Sequence, residues 1–182
     1  MNFLKILFLG ILVSNISFAQ SVNKYILKQG SILFKSEAPL ELIQAKSNEL
    51  KGLILTNDLS YAFTVNNSSF KGFNSALQEE HFNENYMESG KFPRSSFKGK
   101  IVDPIDLTKD GKYEVRAKGK LQIHGIEKDR IIKSTVEVKG NTISISSKFT
   151  VLLEDHDITI PKVVHQKIAE EIIVEVKAVF EK

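Results

Sequence analysis

The side chains able to do acid, base or metal chemistry are few in this chain, and their neighbours limit what they can do. Of the four histidines, His81 follows Glu79 and Glu80, a grouping that sets carboxylates beside an imidazole and could serve metal-assisted or acid–base hydrolysis. Consecutive residues on a helix point in different directions, so these three are poorly placed to share one ion. Asp155-His156-Asp157 is the second polar group, with His165 further on. In an extended segment the two aspartates face one way and His156 the other, which spoils a compact three-ligand site; a solvated turn is expected. His124, beside Gly125, reads as a hydrated imidazole at the end of a strand. The chain has no nucleophile elbow, no glycine-rich phosphate loop, no His-Glu-x-x-His and no cysteine. Serine is so common that a Ser/His/Asp triad could be assembled on paper from many residues, which carries no information. No catalytic or metal residue is assigned, and His81 with Glu80 or His156 with Asp155 remain as enzymatic alternatives.

The elements that would position these residues are strands. From Lys112 to His124 every odd residue is apolar or small (Tyr113, Val115, Ala117, Gly119, Leu121, Ile123) and every even one is polar. Only a strand repeats every two residues, so one long strand with a wet and a dry face is predicted. Further period-two segments run over 25–28, 31–36, 40–46, 50–55, 59–66, 95–101, 131–138, 142–153 and 172–180. Thr56-Asn57-Asp58 and Lys139-Gly140-Asn141 are hairpin turns, and Glu127 to Arg130 is expected to turn the chain after the long strand. The pattern breaks once. Asn74 or Ser75 can cap a short helix to Phe82, with Gln78 three residues after Ser75 as in a capping box. Phe70, Phe73, Leu77 and Phe82 recur at helical intervals, which lays this helix over one end of the sheet, and 163–168 can make a short helical turn. Eight or nine strands joined by short turns make an all-β antiparallel domain, and closure into a barrel removes its edges.

Composition narrows the class. Lys5, the apolar run Ile6 to Val13 and Ser17-Phe18-Ala19 form a signal peptide with cleavage after Ala19, leaving 20–182 as one domain. The apolar run is too short to span a bilayer, so an exported, periplasmic or secreted, protein without stable membrane insertion is expected. The formal charge of +3 has acids and bases interspersed along the chain, too little for a nucleic-acid footprint. Lys98, Lys100, Lys118 and Lys120 fall at alternate positions of neighbouring strands and read as a solvated sheet face.

An eight-stranded barrel is either filled by its own side chains or left with room for one small ligand. The residues expected to line such a lumen are Tyr61, Phe63, Val65, Tyr113, Val115, Leu121, Ile123 and Phe149. Ala117 and Gly119 remove volume mid-strand. Either they leave space for a ligand or Gly119 marks a close approach of neighbouring strands.

The order of features resembles one known family. A hairpin ending near Phe70, a capped helix running into His81-Phe82-Asn83-Glu84-Asn85-Tyr86-Met87, the Lys91-Phe92-Pro93 turn, Ser96-Phe97-Lys98-Gly99-Lys100-Ile101, Gly119-Lys120-Leu121-Gln122-Ile123-His124-Gly125-Ile126 and Ser147-Lys148-Phe149 are similar to the YceI-like family across the domain. The resemblance implies a lipocalin-like antiparallel barrel binding polyisoprenoids or similar long apolar chains, generally in the periplasm, and no catalytic residues. The family's aspartate-phenylalanine-glycine stretch appears here as Asp155-His156-Asp157-Ile158, a departure near one end of the lumen. The expected function is therefore a non-enzymatic carrier for a polyisoprenoid, an isoprenoid quinone or a fatty-acid derivative, with no cofactor beyond such a lipid; homodimerisation is left open. The alternatives are the hydrolase above and a ligand-free structural or stress-response protein.

Overall fold

The computed structural model describes residues 24–182; the expected signal peptide lies outside them. Nine strands follow in chain order: β1 (Lys24–Glu37), β2 (Leu42–Ser47), β3 (Lys51–Leu55), β4 (Ser60–Asn66), β5 (Arg94–Ile101), β6 (Gly111–Ile123), β7 (Ile126–Lys139), β8 (Thr142–Leu152) and β9 (Glu171–Glu181). Each pairs antiparallel with its neighbours, and β1 pairs with β9 to close the sheet. β2 and β3 lie along the same edge of β1 in one register, Ile32 opposite Ser47 and Lys24 opposite Leu55. The closed ring thus has eight strands, β1 and β3 to β9, and β2 is an additional strand beside the far half of β1.

Alternation produces this outcome directly. On β6 the residues Val115, Ala117 and Leu121 are buried while Lys112, Glu114, Arg116, Lys118 and Lys120 are exposed. The expected lysine row is on the outside, with Lys98 opposite Lys120 and Lys100 opposite Lys118. Solvent and partners such as Asp58, 2.9 Å from Lys100, and Glu127, 3.6 Å from Lys120, disperse its charge.

Gly119 settles as a close-approach glycine. It faces Gly99 across the β5–β6 ladder, and a Cβ on either residue would run into the carbonyl of Lys118 or Lys98 on the opposite strand. The space over this pair is taken by Tyr61, whose hydroxyl would lie 2.8 Å from a Cβ on Gly119. The missing side chains make room for an aromatic ring of the protein itself.

Three expected details change. β7 begins at Ile126, and Glu127 to Arg130 are strand residues paired with 119–122, because His124 and Gly125 complete a two-residue turn at φ 50° and 76°. β1 runs unbroken through Gly30, a bulge between Leu27 and Gln29 absorbing the irregularity. The helix α1 (Ala76–His81) is capped by Ser75, whose Oγ accepts from the Gln78 amide. It then loosens into a π-helical turn over Phe82–Tyr86. Leu77 points to solvent, 57% exposed, whereas Phe82 turns inward and stacks on Phe34 of β1 at 5.2 Å. Phe70 and Phe73 join the same cluster, 5.3 and 5.9 Å from Phe34.

The long connections 67–93 and 153–170 gather at one end of the barrel with the β6–β7 turn, and histidines tie them together. His124 is not simply hydrated: its Nδ1 donates to the His156 carbonyl at 2.9 Å, its Nε2 lies 2.7 Å from the Glu88 carboxylate, and its ring stands edge-on to Phe92 at 4.7 Å. His156 is likewise not in a solvated turn. It is fully buried, with Nδ1 donating to the Ile126 carbonyl at 3.2 Å. The physical reason is the left-handed Asp157 (φ 53°), which ends the short turn Glu154–His156 and folds the imidazole under the loop.

Two outcomes follow. Gly119→Ala should cost about 2–3 kcal/mol, seen as a lower thermal midpoint, because the obstructing atom is backbone; an unchanged midpoint would contradict the close approach. Burial pushes the His156 pKa below its ordinary value of 6.5, so the unfolded chain takes up the proton first. His156 therefore favours folding fully above about pH 6.5, and that contribution drains away on acidification down to the folded-state pKa. Denaturation of wild type and His156→Asn at pH 7.5 and 5 should show the smaller acid loss in the variant.

Candidate ligand cavity

Inside the ring is a cavity of about 410 Å³, within the range of small-molecule sites. Its wall is made by inward-facing residues of the strands, aliphatic and aromatic with a few hydroxyls. Seven of the eight residues singled out from the sequence line it: Tyr61, Phe63 and Val65 from β4, Val115, Leu121 and Ile123 from β6, and Phe149 from β8. Tyr113 does not. It shares their face but lies toward the opposite end of β6, half-buried against the core, where its hydroxyl donates to the Lys109 carbonyl at 3.2 Å.

Other lining residues escaped the sequence argument. Phe97, on β5, alternates with Ser96 and Lys98 and was legible as inward-facing, as was Val176 on β9. Phe70 and Phe82 were expected over one end of the sheet, but not their packing with Phe34 on the cavity wall, which forms only when 67–93 folds back onto β1. Ring contacts join Tyr61 to Phe97 along the wall at 5.1 Å and Phe63 to the buried core residue Phe180 at 5.6 Å.

Polarity is distributed unevenly. Ser134 and Ser147 face each other across β7 and β8 with their hydroxyls 2.6 Å apart. Ser95 donates to the Asn67 side-chain oxygen at 2.8 Å, and the Asn67 amide donates to the Phe92 carbonyl at 2.7 Å. The acidic and basic lining residues Glu41, His81 and Lys167 come from the connections at the helix-bearing end, which marks this end as the entrance. Glu41 accepts from the Gln78 amide there at 2.5 Å. Loop 38–41 is fastened to the 153–170 connection by the Leu40 amide, which donates to the Gln166 carbonyl at 3.0 Å.

The histidine pairs considered for hydrolysis are not brought together as acid–base couples. His156 bonds a backbone carbonyl, while Asp155 lies 3.8 Å from Lys128. Glu80 and His81 are both exposed on α1. Among the described residues no group of three or more His, Cys, Asp or Glu could hold a metal ion, and no helix is long and apolar enough to cross a membrane.

Comparison with known proteins agrees with this architecture. The barrel resembles a polyisoprenoid binding domain from Saccharophagus degradans implicated in plant cell wall breakdown, with 14% identity and a TM-score of 0.73 over 86% of this chain and 97% of that one. BcnA of Burkholderia cenocepacia is similar at 15% identity and a TM-score of 0.67, over 82% and 95% of the two chains. A Campylobacter jejuni YCEI protein aligns over 100% and 99% at 13% identity and a TM-score of 0.55. No curated protein sequence matches the chain. The sequence profile of the YceI-like domain matches residues 21–180, and the chain belongs to that family.

Proposed function

We propose that this protein is an exported, non-enzymatic carrier or sequestering protein for a long apolar molecule held in the barrel, of the polyisoprenoid, isoprenoid-quinone or fatty-acid kind. The observation that carries the reading is the hollow, hydrocarbon-walled interior of a closed barrel. Removing a CH2 group from water is worth about 0.8 kcal/mol, so ten buried carbons supply roughly 8 kcal/mol before ordering costs. An interior of this kind gives little purchase to a charged substrate and much to an oily one. Support comes also from the structural neighbour described as a polyisoprenoid binding domain. Export is inferred from the leader-like sequence preceding the barrel.

Native mass spectrometry of the gently purified protein tests the proposal, with a mass increment of a few hundred daltons or more, released by organic solvent, as the expected result. Protein that is uniformly of apo mass and takes up no lipid on incubation contradicts it. A second measurement addresses where the ligand sits. Val176 lines the cavity and is only half-buried, so Val176→Phe should place a ring in the void. Lipid affinity should fall at least about tenfold while the apo protein melts no lower than wild type, since filling a void adds contacts. Undiminished binding by that variant would place the ligand elsewhere.

A further inference from the structure

Among the described residues, one buried side-chain polar atom on the cavity wall is left without a partner. The Tyr61 hydroxyl has no hydrogen-bond partner among the described residues, although the residue is only 6% exposed. Phe63 and Phe97 hold its ring at 5.9 and 5.1 Å, and its oxygen rests against the bare backbone of Gly119. A buried hydroxyl without a partner is destabilising, and native structures rarely keep one without a use. Burial also pushes the phenol pKa upward, which keeps the group a neutral O–H donor. What it lacks is an acceptor.

The charges of the cavity restrict what that acceptor can be. The charged side chains that line it are Glu41 and Lys167, which like His81 come from connections at the entrance. Tyr61 is the second residue of β4, at the opposite end of that strand from the entrance. An anionic head group drawn down to Tyr61 would leave the Lys167 ammonium behind and be desolvated without compensation. A carbonyl or similar uncharged oxygen carries no such penalty.

We propose that the ligand enters with a neutral hydrogen-bond-accepting oxygen, of the carbonyl class, leading, and that the Tyr61 hydroxyl binds that oxygen once the phenol turns slightly off the Gly119 wall. The assignment rests on the apolar-ligand reading above and selects, within it, uncharged carbonyl-bearing chains over phosphorylated or purely hydrocarbon ones. The hydroxyl fixes the orientation of the ligand, while the hydrocarbon tail supplies most of the affinity.

Three probes of similar chain separate the possibilities: farnesylacetone, a ketone; β-farnesene, a hydrocarbon; and farnesyl phosphate. Each is titrated calorimetrically from methyl-β-cyclodextrin into wild type and Tyr61→Phe. Wild type should bind the ketone about three- to tenfold more tightly than the hydrocarbon, the worth of one neutral hydrogen bond, and more tightly than the phosphate. Tyr61→Phe should erase the preference for the ketone and leave farnesene binding unchanged, and the ligand-free variant should melt no lower than wild type. A ketone preference that survives the substitution overturns the assignment, as does a wild type that favours the phosphate or treats ketone and hydrocarbon alike. Should none of the three bind wild type, the carrier reading itself falls, a different result from equal binding of ketone and hydrocarbon.

Discussion

Ring closure is the constraint on which the rest of this molecule depends. Pairing β1 with β9 leaves no free edge in the ring and gives its strands neighbours on both sides. The inner face is thereby released from backbone bonding and can be hydrocarbon throughout. Eight strands set the bore near the point where side chains can just meet across the axis, so the choice of residue at each inward position decides whether the centre is solid or hollow. Here it is hollow, with Ser147, Val176 and Ile145 on one side and Phe97 and Leu121 on another.

The same geometry explains the two specialised regions. Where β5 and β6 place Gly99 opposite Gly119, the missing side chains leave room for the Tyr61 hydroxyl against the wall. At the entrance, 67–93 returns to β1 through Phe70, Phe73 and Phe82, and 153–170 is pinned through His156 and His124. Both closures are made of loop residues that bond mainly to one another and to strand ends. The barrel wall supplies rigidity and the entrance supplies polarity, with Glu41, His81 and Lys167 at the rim.

Much of this architecture was legible in the residues. Period-two alternation located the strands and told inside from outside, which is why Tyr61, Phe63, Val65, Val115, Leu121, Ile123 and Phe149 could be picked as inward-facing. Tyr113 shows where that logic stops: alternation gives the face of a strand but not the height along the barrel. The β6–β7 turn was misplaced because Glu127 to Arg130 is polar, and polarity resembles a turn when the inner face of a strand end lies under a loop. Arg130 illustrates this, for it has inward parity and donates to the Thr150 carbonyl at 2.6 Å. The histidines were the hardest to judge. Nothing near His156 in sequence reveals that a left-handed Asp157 will bury it, and the partner of His124 is a carboxylate on a distant loop.

The central claim is that the barrel is empty and oil-like along its bore. Apolar cavities of this kind stay dry and accept xenon, so diffraction from crystals of delipidated protein held under xenon pressure tests the claim directly. The account predicts ordered xenon between Phe149, Ile145 and Val176, with no displacement of the strands. A bore that takes up no xenon, its side chains meeting across the axis, would contradict it.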